Sequence, residues 1–237
     1  MSEKYRFVPT IEVVNALADN GFLPVKAAQA RTRIEGKGSY CRHVIRFRHR
    51  ELTEVTVGDS LPEIVLMNSH DGSSAYKIMM GMFRLVCSNG MVVASAMVDE
   101  ISARHSGREG IVKEVIDGSF RVIENAPRIM KQVEQWQHTK LDYPQQLAYA
   151  AAALELRPSA VKIQPGDVLD QHREADAGND VWRTFNRVQE NMIRGGLTGL
   201  NERGAQRTSR AVKSCTKDVQ LNRALWRLTE ELAKQVA

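Results

Sequence analysis

The sequence predicts an α+β fold, in which an N-terminal helix and an antiparallel β-meander precede a helical C-terminal half. Apolar and polar residues alternate from Tyr40 to Arg50, which is the period of a strand. The turn signals Asp71-Gly72 and Asn89-Gly90 separate the apolar stretches that follow, as in a run of hairpins. After Gly110 the apolar residues recur at helical spacing instead.

The first elements have clear boundaries in the sequence. Pro9 and Thr10 begin a helical pattern, and Asn20-Gly21 ends it. Residues 22–35 have an extended pattern, and a glycine turn leads from them into the strand at 40–50. Alternation in this strand places two sets on opposite faces: Cys41, His43, Ile45, Phe47 and His49 on one, and Arg42, Val44, Arg46, Arg48 and Arg50 on the other. Of these, Phe47 has the character of a core residue.

Three further apolar stretches and several helices complete the prediction. Residues 64–69 and 75–87 flank a tight turn, and 91–98 is a third apolar stretch. The helical pattern after Gly110 breaks near Pro127, and the next helix starts at Pro144 and stops before Pro158. A connecting loop at 162–180 precedes two helices whose apolar stripes are Val181, Phe185, Val188 and Met192, then Leu221, Leu225, Leu228 and Leu232. We therefore divide the chain into an α+β core at 1–160 and a linker with a C-terminal helical hairpin at 161–237.

Positive charge is concentrated in two places. The chain has a net charge of +5 and a pI of about 9.2. Residues 26–50 hold eight Lys or Arg and one acid, and residues 182–237 hold eleven Lys or Arg and five acids. Such segregation favours an acidic partner, most simply nucleic acid.

The arginine face of the strand at 40–50 is the first candidate site. Its side chains repeat every 6.6 to 7 Å, roughly the step of two strand residues, which suits the phosphates of an extended single strand. The candidate contacts are Arg42, Arg46, Arg48 and Arg50, with Tyr40 and Tyr76 as stacking residues. The alternative is a solvated face whose arginines pair with acids of the neighbouring segment 51–71, which holds five acids and no Lys or Arg.

The segment from Gly195 to Lys217 is the second candidate site. Its four glycines suggest close backbone approach to phosphates and a loop that orders on binding. Its cations supply charge-assisted contacts, and we select Arg203, Arg207, Arg210 and Lys213. The alternative is a flexible basic connector between two helices.

Catalysis has no support in the sequence. The chain has no Walker A, GxSxG or HExxH motif and no CxxC pair among its three cysteines. We therefore expect no cofactor, no metal and no enzyme activity, and a hydrolase using His70 and Asp71 is the least favoured hypothesis. The N-terminus has no signal-peptide pattern, and no stretch has the roughly 20 apolar residues of a membrane span. We expect a soluble cytoplasmic protein without a membrane partner.

Four motifs resemble one protein family: Asn68-Ser-His-Asp-Gly-Ser-Ser-Ala75, Phe83-Arg-Leu-Val-Cys-Ser-Asn-Gly90, Gln189-Glu-Asn-Met-Ile-Arg-Gly-Gly-Leu-Thr-Gly199 and Leu221-Asn-Arg-Ala-Leu-Trp226. In these motifs the chain resembles the phage/plasmid-like domain-of-unknown-function family nine-three-two. The resemblance implies a protein of a prophage, plasmid or other mobile element, and it transfers no catalytic residue. The predicted topology is also similar to the core of single-strand annealing proteins of the Rad-fifty-two type, an analogy of fold alone.

These observations lead to one main hypothesis of function. We expect a non-catalytic nucleic-acid-binding protein of a phage, prophage or plasmid, which binds or anneals single-stranded DNA in recombination or replication and forms a homo-oligomer. The alternative is an element-encoded interaction protein, such as an inhibitor of a host defence system, with a host protein as its partner.

Overall fold

A computed structural model describes residues 7–30, 32–52, 60–71, 74–84, 90–92, 101–103 and 108–236. The α+β class is confirmed, because an N-terminal helix and an antiparallel meander precede a helical C-terminal half. The chain forms two compact units, Met1–Met130 and Lys131–Ala237. The boundary between them therefore lies at Met130, whereas the sequence pattern placed a division after residue 160.

The first unit is a twisted meander covered by helices. Its elements are α1 (Thr10–Asp19), β1 (Phe22–Gln29), β2 (His43–His49), β3 (Ser60–Asn68), β4 (Tyr76–Arg84), β5 (Gly90–Val92), β6 (Ile101–Ala103) and α2 (Arg108–Glu124). All strand pairs are antiparallel, in the order β1-β2-β3-β4-β5, with β6 also paired to β4. The helix α2 packs against β3 and β4, and β3 is buried at all nine of its residues.

The strand predictions hold in outline and differ at their ends. The extended segment ends at Gln29, and Tyr40 lies in a 3-10 turn (Gly38–Tyr40) before β2 begins. Arg50 begins a second 3-10 turn (Arg50–Leu52), so it leaves the strand face on which alternation placed it. Phe47 is fully buried, which confirms it as a core residue. The apolar stretch at 91–98 lies largely outside the described residues.

The second unit is built on helices and a small sheet. It comprises most of α3 (Ala126–His138), with α4 (Tyr143–Glu155), β7 (Val161–Lys162), α5 (Val181–Arg194), β8 (Thr198–Asn201), β9 (Gln206–Thr208) and α6 (Cys215–Val236). Short 3-10 turns at Pro165–Leu169 and Glu174–Asp176 occupy the predicted connecting loop. The start of α4 is fixed by a capping box, since Asp142 Oδ1 accepts from the Gln145 amide at 2.8 Å and Gln145 Oε1 accepts from the Asp142 amide at 2.8 Å.

Aromatic rings form the centre of the second unit. Trp136 and Trp226 have ring centroids 4.7 Å apart, and Trp182 stacks on Phe185 at 5.7 Å. The stripe of α5 is buried as predicted. In α6 the buried side chains include Leu221, Leu225, Trp226 and Thr229. Leu228 and Leu232, the other members of the predicted stripe, are only half-buried. Large aromatic side chains contribute much of a core's apolar area, which explains why Trp226 takes the central position.

Among the described ranges, no helix has both the length and the apolar character needed to cross a membrane. Within those same ranges, no three His, Cys, Asp or Glu side chains come together as a metal-binding group.

Candidate nucleic-acid interface

The arginine face of β2 contains a buried acid from the next strand. Arg46 donates from Nε to Glu63 Oε2 at 2.7 Å, and Arg48 donates from Nη2 to Glu63 Oε1 at 2.9 Å. The side chain of Glu63 is fully buried, while those of Arg46 and Arg48 are 14% and 30% exposed. Both carboxylate oxygens are therefore engaged by arginines of the neighbouring strand.

This pairing supports one of the two interpretations of the strand. Glu63 belongs to the acidic segment 51–71, so for Arg46 and Arg48 the pairing with neighbouring acids is what the structure shows. The two arginines and one carboxylate leave a net charge of +1 at this place. The guanidinium of Arg46 also lies 3.5 Å from the centroid of the Phe83 ring, an attractive cation–π geometry. Both arginines thus have a structural role.

The remaining strand candidates differ in exposure. Tyr40 is 45% exposed and remains available for stacking. Tyr76 is fully buried and donates its hydroxyl to the Val8 carbonyl at 3.0 Å, so its selection as a stacking residue was wrong. At the start of β4 the Tyr76 ring lies in the core. The neighbouring Lys77, which suggested contact with nucleic acid, does not indicate the direction in which the ring points. Arg42 is half-buried and Arg50 is exposed.

The second candidate segment is a β-hairpin and not a loop. Strands β8 and β9 pair in antiparallel register from Thr198 with Thr208 to Leu200 with Gln206. The turn between them is held by Asn201, whose Oδ1 accepts from the Arg203 and Ala205 amides. We call residues 195–217, which comprise this hairpin, its flanking segments and the first residues of α6, the basic hairpin. It is ordered by its own hydrogen bonds, which replaces the expectation of a loop that orders only on binding.

Two glycines of the basic hairpin permit close packing of the backbone. Gly195 has φ +66°, and a Cβ there would meet the backbone of Arg210 and Ala211. A Cβ at Gly199 would overlap the carbonyl oxygen of Lys162 in β7. These glycines join the hairpin to its own unit, so they have a structural function where the sequence suggested contact with phosphates.

An arginine outside the hairpin anchors its base. Arg157, just after α4, donates from its two terminal nitrogens to the carbonyls of Met192 and Arg210. Partial burial lowers the pKa of the Arg157 guanidinium from its ordinary value. One rigid fork thus holds the end of α5 and the segment that follows β9. No pattern in the sequence indicated this role, because Arg157 stands beside Pro158 at a helix end.

The cations of the basic hairpin face solvent. Five are exposed: Arg203, Arg207, Arg210, Lys213 and Lys217. They stand against a single acid, Glu202. None of the five forms an ion pair with any described residue. Like charges that are not neutralised within the fold raise the local potential and attract an anionic partner.

Comparison with known proteins places the chain in a family. A family model described as "Domain of unknown function (DUF932)" matches residues 1–226. The chain belongs to the DUF932 family. Two curated relatives of this DUF932 protein are the UPF0380 proteins YafZ and YfjQ of Escherichia coli (strain K12). Each is 38% identical over 237 residues, which cover 99% of this chain and 85% of the relative. No solved structure matches the chain.

Proposed function

We propose that this DUF932 protein binds nucleic acid without catalysis, and that the basic hairpin makes the principal contacts. The observation that carries the proposal is the set of five exposed cations in the hairpin, none of them paired with a described acid. Phosphate oxygens are the ligands that guanidinium and ammonium groups neutralise in such a setting. Ordering of the hairpin by Arg157 and Gly199 lowers the entropy lost on binding.

The strand face has a smaller part in this proposal. Glu63 compensates Arg46 and Arg48, so their net attraction for a phosphate is reduced to about one charge. Arg42 immediately precedes β2 and Arg50 immediately follows it, and Tyr40 has an exposed ring. We assign these residues secondary contacts at most.

Single-stranded DNA is the favoured partner. The fold of the first unit, with a helix, a meander and a long helix against β3 and β4, supports the analogy with single-strand annealing proteins. That analogy concerns topology alone. Together with the family resemblance to mobile-element proteins, it leads us to propose a cytoplasmic, homo-oligomeric protein of a phage, prophage or plasmid that acts in recombination or replication.

The test is binding of labelled single- and double-stranded oligonucleotides across a range of salt. Each phosphate contact to a single strand contributes about 0.7 to the slope of log affinity against log salt. Changing Arg203, Arg207, Arg210 and Lys213 to Gln should therefore lower the slope by about 3 and weaken binding strongly. The fold should survive, because all four side chains are exposed.

A matched control removes the same charge elsewhere. Lys113, Arg121, Arg128 and Lys131 are also exposed cations, and they lie outside the hairpin. Changing these four to Gln should leave the salt slope within about 1 of the unmodified protein, since only non-specific attraction is lost. Equal loss in both variants would refute the assignment to the hairpin. Affinity that is independent of salt would refute nucleic-acid binding through phosphates altogether.

A second candidate function is that of an interaction protein, such as an inhibitor of a host defence system. The observation in its favour is the edge strand β1, which has seven of its eight residues exposed, including Leu23 and Val25. Within the described chain β1 pairs only with β2, so its outer edge can accept another strand. Recovery of one stoichiometric partner that resists nuclease treatment would favour this function over the first.

A further inference from the structure

A cavity of about 500 Å³ lies in the first unit between α1, β1 and β2. Its volume is within the range of roughly 300 to 1,000 Å³ that is usual for small-molecule sites. The described residues that line it include Phe7, Thr10, Ala27, His43 and His70. Neither the resemblance nor the basic hairpin accounts for this site.

The lining is largely apolar, and its titratable groups among the described residues are the imidazoles of His43 and His70. Carbon surface comes from α1 and the strands, including Ile11, Val14 and Ile45, while the polar groups are fewer. No Lys, Arg, Asp or Glu is found among the described lining residues. A buried ion without a partner of opposite charge is strongly disfavoured. The site is therefore suited to a neutral molecule with a few hydrogen-bonding groups.

The polar end of the cavity is a hydrogen-bonded relay through Thr10. The Thr10 hydroxyl lies 2.9 Å from His43 Nε2 and 2.8 Å from His70 Nε2. His43 Nδ1 lies 3.1 Å from the Cys41 carbonyl, which can only accept. In neutral His43 the proton is thus on Nδ1, so Nε2 accepts from the Thr10 hydroxyl. The same hydroxyl then accepts from His70 Nε2–H, and one direction of donation is fixed through all three side chains.

Aromatic surface lies beside this relay. The Phe7 and His70 rings have centroids 4.6 Å apart at an interplanar angle of 53°, and His43 and His70 have centroids 5.5 Å apart. Phe7 is 52% exposed, so part of its ring remains open to a ligand. A flat ring that covers Phe7 would gain both apolar burial and the offset contact that aromatic pairs favour.

We propose that this cavity binds an uncharged heteroaromatic molecule of nucleoside size, with its ring against Phe7 and its polar edge toward the relay of Thr10, His43 and His70. The proposal is independent of nucleic-acid binding by the basic hairpin, because the phosphate-binding groups of the hairpin play no part in it. Because the described lining has no Lys or Arg, we expect the neutral nucleoside to bind better than its phosphorylated form.

The test is saturation-transfer NMR and titration of the full chain with adenosine, thymidine and adenosine monophosphate. We expect saturation transfer from at least one nucleoside, with adenosine bound at least threefold more tightly than its monophosphate. Absence of transfer from both nucleosides at millimolar concentration would overturn the proposal. Tighter binding of the monophosphate would also overturn it, since that result would require a cation at the site.

Two variants tie the binding to the cavity. Ala27 is an exposed residue of β1 that lines the site, so Ala27→Phe should fill it and lower nucleoside affinity at least tenfold. Val25→Phe places the same ring two residues away, outside the lining, and should leave the affinity within twofold. Thr10→Val removes the hydroxyl at nearly constant volume and should lower affinity about two- to tenfold, the value of one hydrogen bond. Equal affinities in all four proteins would contradict the assignment, and Thr10→Val keeps the test decisive if Ala27→Phe does not fold.

Discussion

Arg46 and Glu63 form a buried ion pair across β2 and β3, with Arg46 Nε 2.7 Å from Glu63 Oε2. Glu63 is 1% exposed and stands in a strand whose nine residues are all buried. Its second oxygen accepts from Arg48. An ionised carboxylate is tolerated at such a position only when it is paired and hydrogen-bonded. These two arginines are therefore part of what allows β3 to carry an acid in its interior.

Arg46→Met should destabilise the protein by about 3 kcal/mol, because it leaves one oxygen of a buried carboxylate without its cation. The loss of the cation–π contact with Phe83 acts in the same direction. The measurement is urea-induced unfolding followed by circular dichroism. Arg203→Met is the control, since this exposed arginine forms no ion pair with described residues, and its cost should stay within about 0.5 kcal/mol.

The triple variant Arg46→Met, Arg48→Met, Glu63→Leu should recover most of the stability lost in Arg46→Met. Apolar replacement of a complete buried ionic cluster is often neutral or stabilising, whereas removal of one member is costly. A triple variant that is less stable than Arg46→Met alone would contradict the view that the uncompensated carboxylate causes the loss.

The alternation of β2 could be read from the sequence, but its cross-strand partners could not. Period two places Arg46 and Arg48 together on one face, as the structure confirms. Which acid meets them depends on the register between β2 and β3, in which Arg46 is opposite Val65 and diagonal to Glu63. A shift of one residue would have sent Glu63 to the other face. Composition of the acidic segment 51–71 indicated a possible partner without identifying it.

Gly199→Ala should destabilise the second unit by more than about 1 kcal/mol and loosen the pairing of β7 with β8. The reason is steric, because the added Cβ would overlap the Lys162 carbonyl oxygen. Gly110→Ala is the matched control. Gly110 lies in α2, and apart from its own helix backbone no described residue comes within 4 Å of an added Cβ, so alanine there should be neutral or stabilising by up to about 1 kcal/mol. Thermal unfolding of both variants checks the difference, and equal stabilities would count against the close approach.

The basic hairpin shows where a sequence pattern was ambiguous. Glycines beside arginines suggested a loose, phosphate-binding loop. In the structure Gly195 and Gly199 lie where two backbones approach each other. Arg203 lies in the turn, Arg207 on β9 and Arg210 just after β9. Glycine is required by both close packing and flexibility. A glycine needed for close packing is recognised only by the backbone that it approaches, which is Lys162 for Gly199 and Arg210 for Gly195. That backbone is distant in sequence, so the pattern alone could not separate packing from flexibility.

Arg157→Lys should increase the hydrogen-exchange rates of the basic hairpin while the core of its unit stays protected. The guanidinium reaches the Met192 and Arg210 carbonyls together, and a single ammonium lacks the two-pronged geometry to replace both bonds. Hydrogen exchange read by mass spectrometry over residues 195–213 measures the effect. Arg128→Lys, an exposed arginine of α3, should leave exchange in the hairpin unchanged. If both variants exchange alike, Arg157 does not anchor the hairpin.

Tyr149→Phe should reduce the loss of stability that alkaline pH causes. The Tyr149 hydroxyl is buried between α4 and α6, 2.8 Å from Thr229 Oγ1, which itself donates to the Leu225 carbonyl at 2.7 Å. Burial raises the pKa of Tyr149 above its ordinary value of 10.0. Above pH 10 the unfolded chain therefore releases a proton that the folded chain retains, and stability falls by up to about 1.4 kcal/mol per pH unit.

This loss of stability begins near pH 10, where the unfolded tyrosine ionises, and grows as the pH rises toward the raised pKa of the folded state. The measurement is the urea midpoint between pH 8 and pH 11. The variant should lose stability less steeply than the unmodified protein above pH 10, although it starts lower by about 1 kcal/mol for the missing hydrogen bond. Tyr143→Phe is the control, because Tyr143 is 62% exposed and its removal should leave the slope unchanged. Parallel curves for all three proteins would show that Tyr149 ionises freely in the folded state.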